Sequence, residues 1–370
     1  MGNSSSSNSN NNGLPPLGFQ ATGESVLATL PGGYTNVKNQ TVLITGGNSG
    51  LGLETARVLA KAGSKVIIAS RTQKNAEEAI KSIKEKLPNL SSENIDYILL
   101  DLADQKQIKQ ATDKFLTKYN KLNILINNAG VMACPLNHTK DGYELQFGTN
   151  HLGHYSLTKN LLPLLESSGT PTNPSRIINL SSMGHWIFSD HTKTPISFDD
   201  LEAKQAYNPW NRYGQSKLAN VLHAKYLQYG FDNGVSNEIN KTKNIVAVAL
   251  HPGAILDTNL SRYFALGMTL NMLSFPRIWK VLMTEPYKSI PQGVATTIFC
   301  AAAPIYSNTN TNSTSNAIMI KPGAYYSDCH EINKQLNANA WIHPEVNNVE
   351  LQKQLWDVSK QSVEKILSKA

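Results

Sequence analysis

Tyr213 and Lys217 stand four residues apart in "YNPWNRYGQSKLAN", just after a turn that holds Pro209. On a helix, residues at i and i+4 are neighbours. An ammonium group beside a phenol stabilises the phenolate and lowers its pKa by roughly 1–3 pH units from an ordinary value near about 10. That brings a tyrosine towards the pH at which general acid/base catalysis works best. The chemistry expected of this pair is proton transfer at a reacting oxygen. A surface helix with an incidental Tyr–Lys pair has the same spacing, so the rest of the chain must supply the context.

The elements that would position the pair are short β-branched runs alternating with amphipathic helical patterns. Strands are predicted at "TVLIT" (Thr41–Thr45), "KVIIAS" (Lys65–Ser70), "DYILLD" (Asp96–Asp101), "NILINN" (Asn123–Asn128), "RIINLS" (Arg176–Ser181) and "NIVAVAL" (Asn244–Leu250). Helices are predicted after the first strand to about Ala62, over about Lys74–Leu87, Asp104–Tyr119 and Asn150–Leu165, and around Tyr213. Apolar strands alternating with helices imply an α/β fold with a parallel sheet covered on both faces. Such a doubly wound sheet binds ligands at the carboxyl ends of its strands.

The first such end reads "TGGNSGLG", Thr45 to Gly52. Gly46, Gly50 and Gly52 allow a tight turn and a close approach of backbone to a pyrophosphate, at the amino end of the next helix. The strand–turn–helix context is the one this motif requires. An NAD site usually carries Asp or Glu about 20 residues further on. This chain instead has Ser70 and Arg71, with Lys74 nearby. A guanidinium attracts a 2′-phosphate that a carboxylate would repel, so the expected cofactor is NADP(H). The alternative is that Arg71 is a solvated loop charge. Asp101 is placed either to meet the adenine or to cap the following helix.

Composition narrows the setting. The chain has 370 residues, 40% apolar and 16% charged, with a net charge of +7. No Lys/Arg cluster accounts for that charge, which argues against a nucleic-acid groove. Cys134, Cys300 and Cys329 are far apart and lack metal-ligand spacing, so reduced thiols, no structural metal and a reducing, cytoplasmic compartment are expected. No apolar run is long enough for a signal peptide or membrane span. Residues 1–35 read as a disordered Ser/Asn-rich tail, ahead of one domain over 36–370. "MGNSSS" fits the pattern for N-myristoylation at Gly2, which would allow peripheral membrane contact.

With "TGGNSGLG", "NNAG" (Asn127–Gly130), "NHLGH" (Asn150–His154), "NLSS" (Asn179–Ser182), "YGQSK" and "HPG" (His251–Gly253) in this order, the chain resembles the short-chain dehydrogenase/reductase family from about Gln40 to Asp357. "SFDDLEAKQAYNPWNRYGQSKLAN" and "GAYYSDCHEI" are similar to its retinol-dehydrogenase-like branch, which includes the WW-domain-containing oxidoreductase, although no WW module is visible. The resemblance implies a single Rossmann-type doubly wound parallel sheet. It also implies that Tyr213 is the general acid/base and that Lys217 tunes it and holds the nicotinamide ribose. Ser182 would hydrogen-bond the substrate oxygen, and Asn150 would position a water that links Lys217 to solvent. Cofactor contacts are implied at Gly46, Asn48, Ser49, Gly50, Leu51, Gly52, Arg71, Lys74, Asp101, Leu102, Asn128, Ala129, Gly130, Tyr213, Lys217, Pro252, Gly253 and Thr258.

Two departures bear on this assignment. The interval between Ser182 and Tyr213, 31 positions, is long for the family and leaves Ser181 as the alternative serine. "HPGAILDTNL" has an extra residue before Thr258. The implied substrate lid, about 254–292, is rich in Met and aromatic residues, Phe275, Trp279 and Met283 among them. That composition suits a lipophilic small molecule, and equally suits core or homodimer contacts. The expected activity interconverts a lipophilic alcohol and its aldehyde or ketone, retinol-like. The alternatives are a steroid or general carbonyl reductase, or a binding protein that has kept the fold without turnover.

Overall fold

The computed structural model describes residues 17–191, 194–255, 257, 260, 272–284, 286–306, 318–333 and 341–369. Its centre is one sheet with strand order β3-β2-β1-β4-β5-β6-β7-β8. The strands are β1 (Thr41–Thr45), β2 (Lys65–Ser70), β3 (Ile95–Leu99), β4 (Ile124–Asn127), β5 (Ser175–Leu180), β6 (Ile245–Leu250), β7 (Tyr325–Ser327) and β8 (His330–Glu331). All neighbouring pairs are parallel except β7 with β8. Every residue of β1, β4, β5 and β6 is buried. Burial on both faces is why these strands read as continuous apolar runs and do not alternate.

The chain runs outwards from β1 to β3, then returns to place β4 on the other side of β1. The order reverses between β1 and β4, so their carboxyl ends open a crevice of the kind that takes ligands in doubly wound sheets. One core layer joins Val42, Ile44, Val66, Ile68, Val248 and Ile298. The opposite layer joins Leu43, Ile67, Phe115, Leu125, Leu161 and Ile177. Alternate residues of each strand thus point to opposite layers.

The amino-terminal region departs from the expected tail. Helices α1 (Gly23–Thr29) and α2 (Gly33–Val37) precede β1. Thr22 and Ser25 form a reciprocal cap on α1, and Val26, Leu27, Leu30 and Val37 are buried in the first core layer. The packed body therefore begins well before residue 36. The Ser/Asn run dominates the composition there, but Thr22 and the apolar residues after it carry a capped helix. The Gly2 motif lies outside the described residues.

Candidate active site

The long helix α9 (Pro209–Asn233) carries both Tyr213 and Lys217. It starts sharply. The Asn208 side chain accepts the Trp210 and Asn211 N–H groups, and Pro209 takes the first helical position, where a missing N–H costs nothing. The preceding insertion closes back onto this first turn. Arg212 Nη2 meets Asp200 Oδ2 at 2.6 Å, both buried, while Arg212 Nη1 donates to the Asp200 carbonyl at 2.8 Å. The unusual length between Ser182 and Tyr213 is thus taken up by a segment that anchors the residue next to Tyr213.

Tyr213 and Lys217 are almost fully buried, and the ammonium lies 5.9 Å from the phenol ring centre. Lys217 Nζ donates to the Leu180 carbonyl at 3.1 Å. Just beyond β5, the two candidate serines part company. Ser181 is buried and donates to the Lys217 carbonyl at 2.7 Å. Ser182 is half-buried and shares a hydrogen bond with the Tyr213 phenol. Its Oγ accepts the Gly184 N–H at 3.1 Å, which leaves the hydroxyl proton to point at Tyr213. Asn150 sits in a π-helical turn, Gly148–Leu152, that leads into α7 (Gly153–Ser168); such turns recur at functional sites. Its carboxamide clamps Val131 through N–H and C=O at 2.8 and 2.9 Å and donates to Ser216 at 2.9 Å.

The crevice end is built to admit a ligand's backbone. Gly46 and Gly50 have φ of +65° and +52°, values that favour glycine. A Cβ at Gly52 would lie 2.2 Å from the Gly46 carbonyl oxygen. One at Gly130 would lie 3.4 Å from Lys217 Nζ and 3.2 Å from Asn150 Oδ1. Ser49, at the start of α3 (Gly50–Lys61), makes no side-chain cap, so the first N–H groups of that helix face the crevice mouth uncapped by it. Asn128 Nδ2 donates to the Thr45 carbonyl at 2.8 Å and ties the β4 loop to the β1 loop. Uncapped amides beside a glycine turn, and a buried ammonium behind Gly130, fit the pyrophosphate and ribose of a dinucleotide.

Residues 40–187 match the family model for short chain dehydrogenase. The chain is 38% identical to "Short-chain dehydrogenase TIC 32 A, chloroplastic" of Brassica napus, over 96% of each chain. The chain belongs to the short-chain dehydrogenase family. It is also 35% identical to retinol dehydrogenase 12 of Mus musculus, over 91% of this chain and 92% of the relative. A solved uncharacterized protein from Mycobacterium paratuberculosis superposes with a TM-score of 0.61 at 27% identity, over 91% of this chain and 97% of that one. The Pseudomonas aeruginosa RhlG/NADP complex shares the fold, with a TM-score of 0.51 at 21% identity over 78% and 97%. This short-chain dehydrogenase is an oxidoreductase acting on an alcohol or carbonyl group with NAD(P)(H).

The electrostatics of the dehydrogenase correct one expectation. Burial pushes the Tyr213 phenol up to about 12, opposed by the Ser182 hydrogen bond. Burial also brings Lys217 down to about 8. The two groups share a low-dielectric pocket, so in the cofactor-free protein desolvation outweighs the i,i+4 attraction that would lower the phenol. The lysine is thereby the member of the pair that titrates near neutral pH.

The remaining predicted residues fall into groups. Asn48, Leu51, Ala129 and Gly130 are half-buried along the crevice. Arg71 is exposed just past β2. Lys74 is exposed and lies 4.0 Å from Glu78 one turn on. The Asp101 carboxylate accepts the Ala103 N–H at 3.0 Å; the cap of the next helix, α5 (Gln105–Lys118), is Asp104. The Leu102 side chain is in the core, packed against Gly153. Pro252 and Gly253 are half-buried, and Gly253 has φ +100° with the Lys288 stem across it, where a Cβ would lie 2.5 Å from Lys288 Cδ. Thr258 lies outside the described residues.

Sequence reasoning missed His154 and Lys288. His154 Nδ1 meets the Asn150 carbonyl and Nε2 meets Thr45 Oγ1, both at 2.8 Å. Thr45 Oγ1 in turn accepts the N–H groups of Asn128 and Ala129, each at 2.9 Å. One neutral imidazole therefore links the "TGG", "NNAG" and "NHLGH" stretches, and the second histidine of "NHLGH" was the available signal. Lys288 is buried and pairs with Asp328; nothing in its local sequence marks it.

Proposed function

We propose that this dehydrogenase interconverts a lipophilic alcohol and its aldehyde or ketone, of the retinol/retinal class, and prefers NADP(H). One observation carries the substrate class. Tyr213 is embedded in an apolar cluster with Ala133, Met183, Ile187, Phe188 and Trp210, and the lid helix Pro276–Thr284 adds Ile278 and Val281 to it. A reacting oxygen at Tyr213 would belong to a molecule whose remainder meets hydrocarbon. The similarity to retinol dehydrogenase 12 supports the same class. The exposed Arg71 past β2, with Ser70 where an acidic residue would select NAD, supports the cofactor preference.

Gly46, Gly50, Gly52 and the first amides of α3 would hold the pyrophosphate, Arg71 the 2′-phosphate, and Lys217 the nicotinamide ribose. When bound, the cofactor supplies or accepts the hydride. Ser182 and Tyr213 converge on the substrate oxygen, where negative charge builds during carbonyl reduction. Tyr213 donates its proton to that oxygen in reduction and takes it back in oxidation. Asn150 fixes the loop at Val131 through both edges of its carboxamide.

The test is a screen of all-trans-retinal, a steroid ketone and short hydrophilic aldehydes with NADPH and with NADH, using Tyr213→Phe as the blank. Retinal turnover with NADPH, lost in Tyr213→Phe while NADPH still binds, is expected. Preference for hydrophilic aldehydes, or near-normal turnover by Tyr213→Phe, sinks the proposal.

A further inference from the structure

We infer that His185 is a positioning residue that orients the Ser182 hydroxyl through the single turn the two residues share. The inference rests on the reading of Ser182 and Tyr213 as the groups that meet the substrate oxygen.

His185 is fully buried at the end of the turn Ser182–His185, well before Tyr213 and Lys217 in sequence. Its Nε2 accepts the backbone N–H of His343 at 3.3 Å. A ring nitrogen that accepts carries no proton, so the neutral imidazole holds its proton on Nδ1. That Nδ1–H donates to the Ser182 carbonyl at 2.5 Å. The same carbonyl accepts the His185 backbone N–H at 3.0 Å. Burial lowers the imidazole to about 3, so this single-proton state persists through the working pH range. The titratable neighbours His251 and His343 are likewise lowered, to about 3 and about 4, and His191 faces His343 edge-on with ring centres 4.7 Å apart.

Two further contacts hold the imidazole and its turn. The ring meets Tyr325 of β7 edge-on at 5.1 Å, and the Ser189 hydroxyl donates to the His185 carbonyl. The turn itself cannot drift without moving Tyr213. A Cβ at Gly184 would lie 2.8 Å from Tyr213 Cε1, so the backbone there packs directly under the phenol ring. With the Ser182 carbonyl held by two donors and its Oγ accepting from Gly184, the Ser182 O–H is left aimed at the Tyr213 oxygen. Order passes from a backbone N–H 158 residues away, through one imidazole, to the serine. Ordinary core packing would require only the ring's volume, and that difference can be measured.

Three substitutions separate these roles. His185→Asn keeps a donor near the place of Nδ1, His185→Gln places its amide near Nε2, and His185→Phe keeps only the ring. With NADP+ and the alcohol identified by the screen above, His185→Gln and His185→Phe should lose roughly 10- to 100-fold in kcat, with the Kd for NADP+ unchanged. With NADP+ saturating, the ascending limb of the kcat/KM–pH profile for the alcohol should also move to higher pH, because a less well-aimed Ser182 stabilises the phenolate of that complex less. His185→Asn should keep kcat within about threefold and leave the profile in place. Wild-type rates in His185→Gln, a rate loss with an unmoved profile, or equal losses in Asn and Gln overturn the inference. If His185→Phe does not fold, as judged by melting and NADP+ binding, the Asn and Gln pair decides. Tyr213→Phe run alongside keeps the two claims apart. If it is silent while His185→Gln is normal, only the positioning role falls. If it is active, the reading of the site falls.

Discussion

Lys217→Met should stabilise the cofactor-free protein while weakening its hold on the cofactor. Lys217 is buried, and its ammonium is brought from 10.5 to about 8 by desolvation alone. At about 1.36 kcal/mol per pH unit, keeping that charge in the folded protein costs about 3 kcal/mol at pH 7. The substitution also removes a hydrogen bond to the Leu180 carbonyl, worth about 1 kcal/mol. That carbonyl is not orphaned, because Asn220 Nδ2 donates to it at 3.0 Å. The net expectation is a gain of about 2 kcal/mol at pH 7. Its pH dependence has a definite sign. Between about 8 and 10.5 the unfolded chain binds the proton and the folded chain does not, so wild-type stability from this group rises with pH through that window. The advantage of Lys217→Met should therefore be full below pH 8 and gone by pH 10.5. Urea unfolding of both proteins at pH 7 and pH 10.5, with equal m-values as the two-state check, measures it. A variant no more stable than wild type at pH 7, or a gain that survives to pH 10.5, would refute the argument. The same titration predicts that cofactor affinity falls as pH rises through about 8 in wild type and shows no such break in Lys217→Met. A site that trades stability for a buried charge has the usual signature of function.

Arg71→Ala should weaken NADPH binding by about 1.5–3 kcal/mol, roughly 10- to 150-fold in Kd, and leave NADH nearly unchanged. Equal losses for both cofactors by titration calorimetry would show that Arg71 does not read the 2′-phosphate. We also propose that the lid helix Pro276–Thr284, with Trp279 and Met283 51% and 78% exposed beside Lys280, docks on anionic lipid. The full chain should float with phosphatidylserine vesicles, less so as Trp279→Ala/Met283→Ser; no flotation, or none lost in the variant, removes the idea. Among the described residues no helix is long and apolar enough to cross a membrane.

Much of this protein could be read from its residues in order. The buried strands at Thr41–Thr45, Lys65–Ser70 and Ile245–Leu250 announce themselves because a strand covered on both faces has no polar phase to hide it. The glycine turn and the Tyr213–Lys217 pair stand out because their spacing is local, within one turn or one helix; Asn150 stands out only through the family resemblance. Helices α1 and α2 do not stand out, since a polar run beside them dominates the composition. Neither do β7 and β8, three and two residues long: β7 is placed by β6, far earlier in the chain, and β8 only by its short hairpin with β7. The choice of Ser182 over Ser181 was open for a similar reason. Adjacent residues are alike in type, and only the arrival of α9, with the Lys217 carbonyl on one side and the Tyr213 phenol on the other, separates them. The direction of the Tyr213 and Lys217 shifts was decided by burial as well, a property no spacing contains. Sequence determined which groups could do the chemistry and the sheet that carries them. The tertiary structure decided which serine faces the phenol, what holds it there and how much of each charge is taken from water, because all three depend on neighbours brought together across more than thirty residues of chain.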